Sequence, residues 1–143
     1  MAGVFESTIT LEDVFVMVGT KRVPLAPELA GYLALEIAEG ADDTDGDVDP
    51  RSVYIAEEGT VALVKRRDPP AGDPEGSIRA ILGRLLEASG SKTPALTAAA
   101  RRRSMRNLRV LSEELEAALI PVNRAAGRRA LARLAASEVI DVA

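Results

Sequence analysis

The segment 41–50 carries the densest set of side chains that could bind a cation. Its carboxylates alternate around Gly46, at Asp43, Asp45, Asp47 and Asp49. This pattern resembles a calcium loop, in which about six to eight oxygen ligands surround the ion and a bidentate Glu closes the loop at position 12. With Gly46 at position 6, the first and last ligand positions hold Ala41 and Ser52. The pattern therefore favours a solvated polar turn, with a weak cation site as the alternative.

Arginines form a second chemically distinctive set near the middle of the basic half. They are Arg101, Arg102, Arg103, Arg106 and Arg109. A helix predicted over about Arg102 to Leu119 places three of them, at spacings of four and three, on one face. Guanidinium groups bind carboxylates and phosphates in a two-pronged geometry. The cluster is thus open to three interpretations: a solvated or internally paired face, a site for an acidic protein surface, or a nucleic-acid site.

Three residue types are missing, and their absence limits the available chemistry. The 143 residues include no Cys, no His and no Trp. Disulfides, thiolate nucleophiles, the Ser-His-Asp triad and zinc sites built on Cys or His are therefore excluded. Two Phe and two Tyr also provide few stacking surfaces for single-stranded nucleic acid. The composition favours a binding module without a cofactor over an enzyme.

Charge is divided unequally along the chain. Residues 1–76 hold 16 acidic and 6 basic side chains, whereas residues 77–143 hold 12 basic and 6 acidic ones. The net charge of -4 is the sum of these two opposed halves. Either the halves pack together and neutralise each other, or the basic half meets an acidic partner.

The compartment is predicted from what the sequence lacks. The start, MAGVFEST, has neither the basic nor the apolar region of a secretory signal. No apolar run approaches the roughly 20 residues that span a bilayer. We expect a cytoplasmic protein without membrane insertion. The end at Asp141-Val142-Ala143 carries no clear stop signal, so a piece of a longer protein is also compatible with the sequence.

Apolar periodicity and breaker residues predict one mostly helical (α+β) domain over residues 1–143 with a single β-hairpin. Thr10-Leu-Glu-Asp13 resembles a capping box that starts a helix ended by Gly19, although its β-branched run also permits a strand. The other predicted elements are a helix over Pro27–Glu39, strands over Ser52–Ala56 and Thr60–Val64, a helix from Ile78 to near Gly90, a short helix from Pro94, and helices over about Arg102–Leu119 and Asn123–Ser137. The last two carry apolar stripes that we expect to face inward, at Leu108, Leu111, Leu115 and Leu119, and at Leu131 and Leu134.

This order of elements resembles the C-terminal lobe of eukaryotic-type protein kinases over residues 8–90, with residues 91–143 as additional C-terminal helices. The stretch 45–52 aligns with the catalytic loop HRDLKPxN, and the hairpin over Val53–Val64 with the one that precedes DFG. Residues 77–88 resemble the buried helix that follows the activation segment, beside which we expect the hairpin. A close relative in outline is the KIND domain, a kinase C-lobe without an N-lobe that acts in protein–protein interaction.

The departures from the kinase pattern indicate that catalysis is lost. Asp47 lies at the position of the catalytic base, but Ser52 replaces the metal-binding Asn and Lys65-Arg66-Arg67 replaces DFG. Phosphoryl transfer needs the metal and the phosphate cradle together. The resemblance thus implies a non-catalytic interaction or regulatory module whose partner is a protein segment or a neighbouring domain. The basic half of the chain favours an acidic partner. The alternative hypothesis is a nucleic-acid-binding module that uses residues 101–109. A third hypothesis is an enzyme that uses Asp47 with a metal ion.

Overall fold

The computed structural model describes residues 8–21, 25–65, 68, 70–89, 93–119 and 124–142. These residues contain six α-helices and three short strands. The helices are α1 (Leu11–Lys21), α2 (Pro27–Gly40), α3 (Pro74–Ser89), α4 (Pro94–Arg101), α5 (Leu108–Ala118) and α6 (Arg124–Val142), and the strands are β1 (Ile9–Thr10), β2 (Val53–Ile55) and β3 (Val61–Leu63). The predicted α+β class, mostly helical with a hairpin, is confirmed. Of the positions used in the sequence argument, residues 1–7, Arg66, Arg67, Gly90, Asn123 and Ala143 lie outside the described residues.

Helix α1 begins at the predicted capping box. The backbone N–H of Thr10 donates to Oδ2 of Asp13 at 2.9 Å, and the N–H of Asp13 donates to Oγ1 of Thr10 at 3.1 Å. These reciprocal bonds satisfy N–H groups that a helix start leaves unpaired. The prediction that Gly19 ends the helix is wrong, because α1 continues to Lys21. A single glycine weakens a helix but does not remove any of its hydrogen bonds.

Helix α2 lies at the centre of the fold. Pro27 occupies its first turn, where a missing N–H has no cost, and its side chains from Ala30 to Leu35 are all buried. The helix packs most extensively against α3 and α5, and it also contacts α6 and β3. A helix buried on nearly all sides needs apolar residues around its whole circumference, as α2 has.

The hairpin forms at the predicted place and gains a third strand. Val53 pairs with Leu63 and Ile55 with Val61, both antiparallel. On its other side β2 pairs with β1, an element that the sequence argument missed. The main helical neighbour of the hairpin is α2, which contacts β3. The hairpin was expected to lie beside residues 77–88 of α3. Among the described residues, its most extensive helical packing is against α2 instead.

The helix predicted over about Arg102 to Leu119 starts six residues later than expected. Residues 102–107 are not helical, and α5 begins at Leu108. Asn107 caps it by accepting a hydrogen bond from the N–H of Arg109 at 3.0 Å, and Arg106 has a left-handed backbone with φ 55°. The predicted common helical face of Arg102, Arg106 and Arg109 is therefore wrong, since only Arg109 lies on α5.

The predicted apolar stripes form one buried cluster with members from all six helices. Four leucines of the α5 region that were predicted to face inward are buried, at Leu108, Leu111, Leu115 and Leu119. Leu131 and Leu134 of α6 are buried as well, as predicted. Within the described part of the chain, no helix combines the length and the apolar character needed to cross a membrane.

Candidate functional site

A buried carboxylate fixes the backbone of the arginine-rich segment 102–107. Glu75, in the first turn of α3, is fully buried, and its Oε1 accepts hydrogen bonds from the N–H groups of Met105 at 3.0 Å and Asn107 at 2.7 Å. A charged acceptor makes such bonds shorter and stronger than neutral ones. The segment therefore has a defined conformation although it is not helical.

Two more carboxylates of the acidic half hold the same segment. Oδ1 of Asp73 accepts a hydrogen bond of 2.9 Å from Oγ of Ser104, which in turn accepts one of 3.1 Å from the N–H of Arg106. Oδ1 of Asp43 accepts a bond of 2.8 Å from the N–H of Leu108. The acidic and basic halves of the chain are thus joined here through carboxylate-to-backbone bonds, which leave the arginine side chains out of the contact.

A buried charge network lies beneath this segment. Nε of Arg79 donates to Oε2 of Glu75 at 2.7 Å, and its Nη1 donates both to the carbonyl of Ala99 and to Oε1 of Glu114 at 2.9 Å. Arg102 reaches the other oxygen of Glu114 at 3.5 Å. Only 2% of the Arg79 side chain is exposed, so its charge is stabilised because two carboxylates offset the loss of water.

One donor of this network has no acceptor. Nη2 of Arg79 is buried and forms no hydrogen bond with any residue that the structure describes. An unpaired buried donor costs about 1–3 kcal/mol of folding free energy, and more when the group is charged. Few such groups occur in native proteins, so each calls for an explanation.

The side chains of the five predicted site arginines are exposed, and we refer to them together as the Arg surface: Arg101, Arg102, Arg103, Arg106 and Arg109. Arg109 pairs with Glu113 at 3.3 Å, but these side chains are 86% and 65% exposed, so the pair is weak. Arg101 and Arg103 form no ion pair with the described residues. Met105, at 62% exposure, provides an apolar side chain among these cations.

The carboxylates of the acidic loop serve internal contacts. Oδ1 of Asp47 accepts a bond of 2.7 Å from the N–H of Asp73, and Oδ2 of Asp45 lies 3.2 Å from Nζ of Lys65. Asp49 caps the short 3₁₀ helix Pro50–Ser52 and pairs with Arg51 at 3.0 Å. Over the described ranges, no group of three or more carboxylate, thiol or imidazole side chains is placed to hold a metal ion. Asp43, Asp45, Asp47 and Asp49 therefore have structural contacts and do not converge on one point.

A cleft of about 700 Å³ lies beside this loop and is lined by three residues that the sequence analysis compared with kinase motifs. Asp47, Ser52 and Lys65 all line it, together with Glu12 and Arg84. Its lining carries both signs of charge, and the Lys65 ammonium already neutralises Asp45. A cation entering this cleft would compete with that ammonium, so the site is poorly suited to a divalent metal.

Asp73 titrates below the usual range of an aspartate. Partial burial acts to raise its pKa, but hydrogen bonds from the N–H of Gly76 and from Ser104, together with the nearby charges of Arg106 and Arg79, outweigh this effect. The pKa of Asp73 is therefore lowered from 3.8. The carboxylate remains charged at neutral pH, as its hydrogen bonds and the nearby arginine charges favour.

Sequence reasoning identified the arginines but missed Glu75 and Arg79, which organise them. A signal was available, because Glu75 precedes Ile78 by three residues and Arg79 by four, on the stripe that continues through Ile81 and Leu82. A Glu–Arg pair at i, i+4 that lies on the apolar side of a helix indicates a buried ion pair.

Comparison with known proteins identifies no relative. No model of a known family, no curated protein and no solved structure matches the chain. The features of the structure that bear on function are therefore the Arg surface and the cleft beside the acidic loop.

Proposed function

We propose that this protein is a non-catalytic interaction or regulatory module that binds an acidic segment of another protein or of a neighbouring domain through the Arg surface. The observation that carries the proposal is the anchoring of residues 102–107 by Glu75 and Asp73, with Asp43 holding the N–H of Leu108 that follows them. These carboxylates bind backbone or hydroxyl groups. They leave the guanidinium groups exposed in a segment whose backbone is already ordered.

The ordered backbone of residues 102–107 in the free protein favours binding of a partner to the Arg surface. A segment that is already fixed loses less conformational entropy when a partner arrives. Arginine is also enriched where partners meet, because its planar group forms paired hydrogen bonds with carboxylates. Met105 adds a flexible apolar side chain that adapts to the shape of a partner. Together these features describe a basic surface with one apolar contact, suited to an acidic protein segment.

The absence of catalysis is part of the same proposal. Asp47, the candidate base, accepts an N–H bond from Asp73, and Lys65 holds Asp45 in a contact of opposite charge. Phosphoryl transfer would need a base that accepts the proton of the attacking hydroxyl, and metal ions beside it that neutralise the transferred group. The internal contacts of both side chains oppose such a role.

The kinase C-lobe resemblance supports the proposed class through the order of elements. Helix α2, an acidic loop, a hairpin and helix α3 follow one another in the order on which the resemblance rests, although the hairpin packs mainly against α2 and not against α3. The loop also contacts the start of α3, because the N–H of Val48 donates to Oγ of Ser77 at 2.8 Å. The KIND domain, which resembles a C-lobe without an N-lobe, provides the analogy for an interaction role.

The proposal is tested with a labelled peptide of alternating Glu and Ser, titrated by fluorescence anisotropy. We expect the double variant Arg103→Ala/Arg106→Ala to weaken binding by about threefold to twentyfold, since exposed charge pairs contribute up to about 1 kcal/mol each. The exposed Arg129 of α6 offers a matched control, and Arg129→Ala should leave the affinity unchanged.

Nucleic acid is the competing ligand of the Arg surface. A duplex DNA titrated under the same conditions should bind more weakly than the peptide at physiological salt. Tighter binding of the DNA, with a steep loss of affinity as salt rises and a dependence on the same two arginines, would support the nucleic-acid module instead.

A further inference from the structure

A second cleft lies between α3 and α4, next to the Arg surface. Its volume is about 980 Å³, which is enough for several side chains. Small residues on the facing sides of the two helices, among them Ala80 and Gly83 of α3 and Ala98 of α4, leave this space between them. Leu86 adds an aliphatic side chain to its lining. The walls of the cleft are therefore mostly apolar.

The charged side chains of this cleft are unequal in sign. Among the described residues, its lining includes Arg79, Arg84 and Arg101 but one acidic side chain, Glu87. Arg84 is held in place by the ring of Phe15, whose centroid lies 3.8 Å from the guanidinium carbon. Arg101 ends α4 and belongs to the Arg surface, so the cleft and that surface are continuous.

The buried Arg79 adds no net charge to the cleft, because carboxylate oxygens of Glu75 and Glu114 lie 2.7 and 2.9 Å from its nitrogens. Its Nη2 has no hydrogen-bond acceptor among the described residues. A negative group in the cleft is stabilised mainly by the two exposed arginines, Arg84 and Arg101. An aliphatic group is stabilised by the apolar walls.

From these features, and relying on the proposed interaction role, we infer that the cleft between α3 and α4 binds a partner segment in which acidic side chains are flanked by aliphatic ones. The carboxylate lies between Arg84 and Arg101, and the aliphatic side chains pack on Leu86 and Ala98. Such a segment matches both properties of the lining, because its carboxylates pair with the arginines and its aliphatic groups pack on the apolar walls. A purely acidic segment would use only the charges, and a purely apolar one would leave the arginines without partners.

The test compares two peptides on the same protein, one alternating Glu with Leu and one alternating Glu with Ser. The wild-type protein should bind the Glu/Leu peptide at least about tenfold more tightly, because burying even one aliphatic side chain has an effect of this size. Ala80 and Ala98 are exposed, so Ala80→Leu and Ala98→Leu fill the cleft from its two walls without removing a charge. Each should abolish the advantage of the Glu/Leu peptide and leave the affinity for the Glu/Ser peptide unchanged.

Two controls separate filling of the cleft from other effects. Ala117 of α5 is exposed and does not line the cleft, so Ala117→Leu should preserve the advantage of the Glu/Leu peptide. Glu87→Gln removes the one acidic lining residue and should strengthen Glu/Leu binding by about twofold to fivefold. Circular dichroism and thermal unfolding show that each variant is folded before it is titrated.

The outcomes distinguish the two proposals. Retention of the Glu/Leu advantage in both cleft variants overturns the cleft inference, as does equal binding of the two peptides to the wild-type protein. Equal binding that still depends on Arg103 and Arg106 overturns the cleft inference alone and leaves the Arg surface supported. Loss of the advantage in Ala80→Leu and Ala98→Leu supports the cleft even if the arginine variants have no effect.

Discussion

Glu75 and Arg79 form a buried ion pair, with Oε2 2.7 Å from Nε, on the side of α3 that faces the arginine-rich segment. The same carboxylate holds the backbone of Met105 and Asn107. One acidic side chain thereby neutralises a buried cation and orders the segment that carries the Arg surface.

Removal of Glu75 should strongly destabilise the protein. Glu75→Ala leaves Arg79 with only part of its neutralising charge and leaves two N–H groups without an acceptor, so we expect a loss of about 3–5 kcal/mol in the free energy of unfolding. Urea denaturation measures this change. Glu113 forms an i, i+4 pair with Arg109 that is exposed, and Glu113→Ala should cost less than about 1 kcal/mol. Equal losses of unfolding free energy in Glu75→Ala and Glu113→Ala would contradict the claim that burial makes the Glu75–Arg79 pair important for stability.

Stability should depend on pH through Asp73. Because its pKa in the folded protein lies below 3.8, the folded state binds fewer protons than the unfolded state as the pH falls. The contribution is fully present above pH 3.8 and is lost as the pH falls through the lower value of the folded state. In Asp73→Asn the urea midpoint should thus fall less steeply on acidification than in the wild-type protein. The exposed Asp68 offers a control, and Asp68→Asn should keep the wild-type pH profile.

The contact between the hairpin turn and α6 should tolerate no side chain at Gly59. This residue has φ 86°, and a Cβ there would clash with the carbonyl oxygen of Arg128. We expect Gly59→Ala to lower the free energy of unfolding by about 2 kcal/mol or more, from the strained backbone and the clash together. Gly19, in α1, has open space around it, so Gly19→Ala should instead stabilise by about 0.5–1 kcal/mol. Thermal denaturation of the two variants should show midpoint shifts of opposite sign.

Local signals in the sequence predicted much of the fold. The capping box of Thr10 and Asp13, the first turn at Pro27 and the leucine stripe of α5 each depend on residues within a few positions of one another. Such interactions form within one helix or turn, so their spacing is visible in the sequence.

Long-range contacts explain what the sequence argument missed. The start of α5 was placed too early because the bonds of Asn107 and Leu108 to Glu75 and Asp43 join residues 32 and 65 positions apart. Strand β1 has two residues and exists through its pairing with β2. The arginines of the candidate site were identified from their clustering in the sequence, whereas their presentation on a loop depends on these distant carboxylates.

The proposed lack of catalysis makes a prediction about nucleotides. Because Lys65 lies 3.2 Å from Asp45 in this cleft, and because the proposed resemblance has Ser52 in place of a metal ligand, Mg²⁺ with ATP should not raise the melting temperature. A ligand at a hundred times its Kd would stabilise the folded state by about 2.7 kcal/mol, which a thermal-shift assay detects. A clear rise that is lost in Asp47→Asn would contradict the proposal.

The central claim, that the Arg surface is the binding site, is tested most directly by nuclear magnetic resonance. Backbone amide signals of the ¹⁵N-labelled protein are followed during titration with the acidic peptide. We predict that the largest shifts fall on residues 101–109, with the amides of Met105 and Asn107 among them because Glu75 holds both at the base of this surface. Shifts concentrated on the acidic loop and its cleft, at residues 45–52, with residues 101–109 unchanged, would contradict it.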